Sequence, residues 1–179
     1  MSFDLQQFIA DCRAAVRADP THKSVREVVA RAVAEPSAVL RGLGEPKRGA
    51  VEKLFHGEDL TVLNVICPPH FTIMPHNHRM WAVIGVYTGR EDNILWRRLP
   101  DDADGRVEAA GAKALVEGET IAFGPEVIHS LINPLPRMSG AIHVYGGDLF
   151  GVQRSEWDPF SLCEVPHDME KLLRAVGGQ

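Results

Sequence analysis

The spacing of apolar residues changes once along the chain, near Leu54, and this change limits the folds that are open to it. Before that point apolar residues recur at three- and four-residue steps, which is typical of amphipathic helices. After it, short apolar runs alternate with turn residues, which is typical of strands. Helices are predicted at 3–18 and 24–34, with Ser24 as the N-cap of the second, and a further helical turn is predicted at 37–43. Strands are predicted at 60–67, 71–74, 81–87, 93–99, 111–116, 119–123, 129–133 and 140–145.

Short strands at such regular spacing favour a closed or double-sheet β structure. With 179 residues, of which 45% are apolar, the chain is long enough for one domain with a real core plus an appendage. We therefore predict an N-terminal helical extension over residues 1–50 that packs on a barrel over residues 51–179. The barrel region ends in a tail with a short helix at 168–175.

The charge pattern and the cysteines exclude several classes of protein. The chain has 19 basic and 24 acidic residues with no basic run, so no nucleic-acid partner is expected. No run of eighteen apolar residues occurs, and the first five residues lack a charged leader, so we expect a cytoplasmic protein without a membrane partner. The three cysteines are widely spaced, which argues against a disulfide framework or a thiolate zinc site and favours reduced thiols, two of them packed as small hydrophobes.

Three histidines are spaced as metal ligands would be. His76 and His78 lie two residues apart in a segment, 71–86, that reads as a strand, so both side chains project to the same face. His129 lies on a later strand behind the turn at 124–126, and a sheet that curls on itself would bring it opposite the pair. The spacing therefore predicts a three-imidazole metal site inside a barrel. Four further histidines lack partners at ligand spacing and are expected to be exposed: His22, His56, His70 and His167.

These residues carry a resemblance to a known superfamily. The stretch 75–78, then Gly89, Gly118, the Gly-Pro pair at 124–125, His129 and Asn133 resemble the two paired motifs of the cupins. Segments 76–86 and 141–146 are similar, more narrowly, to the bacterial thiol dioxygenases of the cysteine dioxygenase and 3-mercaptopropionate dioxygenase group. The resemblance covers residues 60–159. It implies a mostly β, double-stranded β-helix (jelly-roll) barrel with N-terminal α-helices.

The ligand set departs from the usual cupin pattern in a way that matters chemically. Cupins usually add a glutamate four or five residues after the second histidine, where this chain has Ala82 and Val83. Three neutral imidazoles leave the full charge of a divalent ion to the next ligand, which favours an anion such as a thiolate. The resemblance implies a non-haem iron(II) enzyme that converts a small thiol-carboxylate, of the cysteine or 3-mercaptopropionate type, to its sulfinic acid with dioxygen. Imidazole ligands also suit zinc, nickel and copper.

The same resemblance implies roles for residues beyond the metal ligands. The family carries serine, histidine and tyrosine at alternate positions of a late strand, and this chain has Ala141, His143 and Tyr145 there, with Ser139 one alternation earlier on the same face. His143 would orient Tyr145, whose phenol would point at the ligand site. Arg154 matches by spacing the arginine that pairs with the substrate carboxylate in the mercaptopropionate group.

Two other functions remain open from the sequence. One is a different metal-dependent cupin enzyme, a lyase, isomerase or hydrolase that uses the metal as a Lewis acid. The other is a non-catalytic barrel that binds a small anion or acts as a sensor. In the leading hypothesis the partners are a small thiol and dioxygen. A homo-oligomer is also an open prediction, because either the helices or a second subunit would cover the barrel edges.

Overall fold

The computed structural model describes residues 3–178 as four helices and eleven strands. Met1, Ser2 and Gln179, which belong to the predicted N-terminal and C-terminal segments, lie outside the described residues. Three helices come first and one comes last: α1 (Leu5–Ala18), α2 (His22–Val33), α3 (Pro36–Leu43) and α4 (Met169–Gly177). Among the described residues, none of these helices combines the length and the apolarity that crossing a membrane would need.

The helix ends follow ordinary capping chemistry. The Asp4 side chain accepts a hydrogen bond from the Gln7 amide at 3.0 Å, and Pro36 occupies the first turn of α3, where its missing N–H costs nothing. The prediction that Ser24 caps the second helix is wrong. Thr21 is the N-cap, because its extended backbone lets its hydroxyl accept from the Lys23 amide, and Ser24 lies inside the first turn.

The strands form two antiparallel sheets. They are β1 (Ala50–His56), β2 (Thr61–Cys67), β3 (Thr72–Asn77), β4 (Ala82–Thr88), β5 (Arg90–Arg98), β6 (Val107–Val116), β7 (Thr120–Phe123), β8 (Ile128–Ile132), β9 (Ser139–Tyr145), β10 (Ser155–Trp157) and β11 (Glu164–Pro166). The first sheet has the order β1-β2-β9-β4-β7, and the second has the order β11-β10-β3-β8-β5-β6. Consecutive strands cross from one sheet to the other along much of the chain, which is the double-stranded β-helix. The expected fold class is confirmed.

Three strands were not predicted from the sequence, and two others begin earlier than predicted. β1 is an edge strand with a register irregularity between Lys53 and Phe55, and its two adjacent charged residues, Glu52 and Lys53, interrupt the period of two. β10 and β11 have only three residues each, too few for a periodic signal. β5 begins at Arg90 rather than residue 93, and β6 begins at Val107 rather than residue 111, because these extensions carry polar and exposed residues.

Both faces of the first sheet are buried, which explains why β2, β4 and β9 read as nearly continuous apolar runs. One face packs against the N-terminal helices through a cluster that includes Val25, Val29, Val33, Val83 and Val144. The other faces the second sheet and forms the interior of the barrel with Ile84, Leu131, Phe123 and Tyr145. Cys12 and Cys67 are buried free thiols, as predicted. The division of the chain into two domains at residue 50 stays a prediction.

The contact between α2 and β4 gives a test of this packing. A Cβ atom at Gly85 would lie 2.6 Å from Cγ1 of Val29 and 2.9 Å from Cγ1 of Val33, so no side chain fits without moving the helix. Gly85→Ala should lower the free energy of unfolding by about 1–3 kcal/mol in denaturant titrations. Gly111→Ala is the matched control, since nothing lies within 4 Å of that position. Equal stability of Gly85→Ala and the wild type would contradict the close approach of α2.

Candidate metal centre

The second sheet brings the three predicted ligands together. His76 on β3 and His129 on β8 are direct Cα partners in the antiparallel ladder. A register irregularity between Ile73 and His76 precedes this pair, and His78 follows the end of β3 by one residue. All three side chains are buried, with exposures of 7%, 2% and 1% for His76, His78 and His129. The strand pairing therefore places three imidazoles from distant parts of the chain inside the barrel.

The ring nitrogens converge at distances that suit a shared ion. Nε2 of His78 lies 3.2 Å from Nε2 of His76 and 3.3 Å from Nε2 of His129. Metal–nitrogen bonds of about 2.0–2.1 Å with angles between octahedral and tetrahedral would separate neighbouring nitrogens by about 2.9–3.4 Å. Among the described residues, the group of converging ligand atoms consists of these three histidines and includes no carboxylate. The donor set fits a divalent transition metal.

Hydrogen bonds to the outer ring nitrogens fix which nitrogen is free. Nδ1 of His76 donates to the carbonyl oxygen of Met74 at 2.8 Å, and Nδ1 of His129 donates to Oδ1 of Asn93 at 2.7 Å. In both rings Nε2 then keeps its lone pair and points toward the other two histidines. Asn93 was not singled out in the sequence analysis. The available signal was a polar residue at the start of a predicted strand, which alone says nothing about its partner.

Burial keeps these imidazoles neutral. Desolvation lowers the pKa of His129 to about 3, with a smaller contribution from His143. It also lowers the pKa of His76 and of His78 well below the ordinary value, and the neighbouring histidines and Arg154 lower both pKa values further. Because metal ligation requires the unprotonated ring, the site is ready to bind an ion at neutral pH.

His143 and Tyr145 lie beside this group, on alternate positions of β9. Nδ1 of His143 is 3.1 Å from the Tyr145 hydroxyl, and the Tyr145 ring centroid is 4.9 Å from that of His78. Both residues line the cavity that holds the three histidines. Burial raises the pKa of Tyr145, so the phenol stays protonated.

The other ring nitrogen of His143 faces a carboxylate. Oε2 of Glu91, on β5, lies 3.2 Å from Nε2 of His143, and Glu91 is only 3% exposed. Ser139 is four residues from His143 along an extended strand, about 13 Å away, and lies opposite Cys67 at the other end of β9. Glu91 was not predicted as a site residue, because it precedes the predicted start of its strand.

Arg154 lies at the boundary between the metal cavity and the surface. It lines an inner cavity of about 30 Å³ with the three histidines, and also an outer one of about 710 Å³. Within residues 3–178 its guanidinium forms one hydrogen bond, at 3.4 Å to the carbonyl oxygen of Asn77, and no ion pair. Burial lowers the pKa of Arg154 from its ordinary value. Oδ1 of Asn77 also accepts from the Ser155 amide at 2.9 Å, which anchors the segment that carries the arginine.

The last helix supplies a wall of the inner cavity. Met169 and Leu172 of α4 line it together with Leu149 and Arg154. Leu149, Arg154 and Met169 also line the outer cavity, so these side chains separate the metal region from the surface.

The prediction that His167 is exposed is wrong. Its side chain is 5% exposed, and its ring centroid lies 6.1 Å from that of His76, because the segment before α4 folds back over the barrel. Burial lowers the pKa of His167 to about 4, and its Nδ1 lies 3.0 Å from Oε2 of Glu156 in poor alignment for a hydrogen bond. His56 and His70 are exposed as expected, while His22 is half-buried.

Comparison with known proteins supplies neighbours of the fold and no family. No family model matches the chain. Solved structures that are similar include a cupin family protein of Methanocaldococcus jannaschii with a double-stranded β-helix fold (16% identity, 59% of this chain and 85% of that chain, TM-score 0.46). They also include the manganese-containing oxalate decarboxylase of Bacillus subtilis (19%, 53% and 23%, 0.42) and an oxalate oxidase with bound glycolate (17%, 57% and 53%, 0.43). The chain thus spans under a quarter of the decarboxylase and about half of the oxidase. Likeness at this level carries no argument about chemistry.

The lowered histidine pKa values predict how stability depends on pH. Between about pH 6.5 and the folded-state pKa, the unfolded chain binds protons that the folded chain does not, so stability falls as the pH falls through this window. In metal-free protein, each such histidine should contribute a loss of about 1.4 kcal/mol per pH unit.

His129→Gln removes one of these protons. From pH 7 to pH 5, this variant should lose about 2 kcal/mol less unfolding free energy than the wild type in urea titrations. His70→Asn, at an exposed position, should keep the wild-type slope. Identical slopes for His129→Gln and the wild type would show that His129 is not held neutral.

Proposed function

We propose that the protein is a non-haem iron(II)-dependent thiol dioxygenase that oxidises a small thiol-carboxylate to its sulfinic acid. The observation that carries the proposal is that, among residues 3–178, three convergent, neutral imidazoles have no carboxylate beside them and an arginine at the edge of the same cavity has no ion-pair partner. His76, His78 and His129 would hold the ion. An iron(II) ion held there would supply the redox chemistry that no side chain can supply and would lower the pKa of the substrate thiol.

The charges of the site favour an anionic substrate with two binding groups. The ligand set contributes no negative charge, so the ion's double positive charge stays available to a thiolate. Within the described part of the chain the half-buried Arg154 guanidinium has no carboxylate partner, and a substrate carboxylate would supply one through paired N–H donors. A molecule that carries a thiol and a carboxylate a few atoms apart satisfies both requirements.

The size of the inner cavity would limit the group that reaches the histidines. The cavity has a volume of about 30 Å³ and is walled by Leu149, Met169 and Leu172 besides the histidines, so it would admit a small reacting group such as a thiol, with the rest of the molecule extending past Arg154 into the outer cavity. In the reaction proposed, sulfur loses four electrons and both atoms of one dioxygen become the sulfinate oxygens, so no other oxidant is required. Enclosure by apolar side chains excludes water and strengthens the electrostatic contacts with the substrate.

Tyr145 and His143 would position the substrate. The Tyr145 hydroxyl lies in the cavity wall, and His143 holds it through the hydrogen bond at 3.1 Å. Since the raised pKa keeps the phenol neutral, Tyr145 would act as a hydrogen-bonding group and add no negative charge beside the thiolate. The proposed partners are thus a small thiol and dioxygen. The absence of nucleic-acid and membrane partners, a cytoplasmic location and a homo-oligomeric state stay predictions.

The activity test uses full-length protein that is stripped of metal and reloaded with iron(II). With cysteine, 3-mercaptopropionate or cysteamine, dioxygen uptake should equal sulfinate formation one to one, followed by an oxygen electrode and mass spectrometry. Zinc-loaded protein should be inactive, because zinc has no redox chemistry. Turnover that survives zinc would instead indicate a Lewis-acid enzyme, and lack of uptake with every thiol would refute the proposal.

The role of Arg154 is tested by comparing substrates with and without a carboxylate. Arg154→Gln should raise KM for 3-mercaptopropionate about 10- to 100-fold, since a charge-assisted hydrogen bond is lost, and should change kcat/KM for cysteamine little. Arg97→Gln, at an exposed arginine paired with Glu108, is the control and should behave as the wild type. Equal losses with both substrates would show that Arg154 does not recognise the carboxylate.

A further inference from the structure

Glu91 is the only buried carboxylate among residues 3–178, and its hydrogen-bond partners are Asn93 and His143 rather than the candidate metal ligands. Its two carboxylate oxygens contact two different residues, Asn93 and His143, which in turn contact His129 and Tyr145. Oε1 lies 3.0 Å from Nδ2 of Asn93, and Oε2 lies 3.2 Å from Nε2 of His143. A buried charge is costly unless it is hydrogen-bonded, so these two contacts are the reason that a carboxylate is tolerated there.

The directions of the hydrogen bonds that link His129, Asn93 and Glu91 follow from the orientation of the His129 ring. Nε2 of His129 faces the other histidines, so Nδ1 carries the hydrogen and donates to Oδ1 of Asn93 at 2.7 Å. The amide of Asn93 is thereby oriented with its NH₂ group toward Glu91. Oε1 of Glu91 therefore accepts a hydrogen bond, and Glu91 holds Asn93 in the orientation that keeps Nε2 of His129 free.

The other oxygen of Glu91, Oε2, determines the hydrogen bonds of His143 and Tyr145. An ionised carboxylate only accepts, so Nε2 of His143 must carry the hydrogen in the contact at 3.2 Å. Arg154, which lines the same cavity, already places a positive charge beside this ring. In a neutral ring with Nε2 protonated, Nδ1 is an acceptor. The Tyr145 hydroxyl then donates to Nδ1 at 3.1 Å and keeps its lone pairs for the cavity.

We propose that Glu91 is a positioning residue that holds His143 as the neutral Nε2–H tautomer and thereby turns the Tyr145 oxygen into a hydrogen-bond acceptor toward the cavity. Tyr145 would then recognise a hydrogen-bond donor on the substrate, such as an ammonium group. This last step rests on the proposed function, whereas the tautomer of His143 does not. Through Asn93, the same carboxylate orients the His129 ring, so one buried charge sets the geometry of both parts of the site.

The tautomer can be measured directly in the metal-free protein without substrate. Protein labelled with ¹⁵N-histidine would be examined at pH 8 by long-range ¹H–¹⁵N NMR, with the His143 signals assigned by their loss in His143→Gln. The wild type should show the Nε2–H tautomer. Tyr145→Phe should show it as well, because Glu91 and not Tyr145 selects it. An Nδ1–H tautomer or a doubly protonated ring in the wild type would overturn the proposal, whatever the protein does with thiols.

Glu91→Gln gives the sharpest contrast. With Asn93 still donating to the glutamine carbonyl oxygen, the glutamine NH₂ group would face Nε2 of His143 and require it to accept, so the His143 tautomer should switch to Nδ1–H. In iron-loaded protein kcat should fall about 10- to 100-fold, which is typical of outer positioning residues. Glu108→Gln, at an exposed glutamate, should match the wild type in both measurements.

The outcomes separate this inference from the proposed function. If Glu91→Gln folds and keeps the Nε2–H tautomer, Glu91 does not control His143 and the inference fails. If the His143 tautomer switches in Glu91→Gln, but neither the wild type nor this variant oxidises any thiol, the positioning role stands and the dioxygenase proposal fails. If Glu91→Gln does not fold, the wild-type and Tyr145→Phe tautomers still decide the inference.

Discussion

The site depends on the register between β3 and β8, in which His76 and His129 are directly opposed. Side chains on a strand alternate between faces, so a slip of one residue would turn one of these rings out of the barrel. The irregularity after Ile73 and the position of His78 just past the end of β3 add a third ring without a third strand. Because the ladder of backbone hydrogen bonds holds this arrangement, the imidazoles are pre-assembled before any ion arrives.

Around this pairing, the barrel interior is divided by polarity. Apolar side chains of the two sheets fill most of it, and five polar residues at the site form one connected chain from Tyr145 through His143, Glu91 and Asn93 to His129. Low dielectric surroundings strengthen each of these hydrogen bonds and penalise any that is broken. The same burial that lowers the histidine pKa values therefore also makes the network rigid. Burial of these residues therefore accounts both for the rigidity of the network and for the neutral imidazoles that metal binding requires.

The sequence predicted the parts of this structure that local patterns encode. Period-two spacing and turn residues located the core strands, and His76, His78 and His129 followed from ligand spacing. Glu91 and Asn93 could not be predicted in the same way, since their partners are 52 and 36 residues away and only the pairing of β5 with β8 and its proximity to β9 reveals them. His167 was misjudged for a related reason. Nothing local to a three-residue strand and a short helix indicates that they fold back over the barrel.

The barrel and the C-terminal segment carry different parts of the candidate site, so the two parts can evolve separately. His76 and His129 lie on paired strands and His78 lies one residue past the end of β3. The residues that line the approach to these three rings lie on a loop and on α4: Leu149, Arg154, Met169 and Leu172. Loops and terminal helices tolerate substitution and insertion far better than paired strands do. Descendants of this chain could accept longer, shorter or differently charged molecules by altering that outer segment alone, while inheriting the three-histidine scaffold intact.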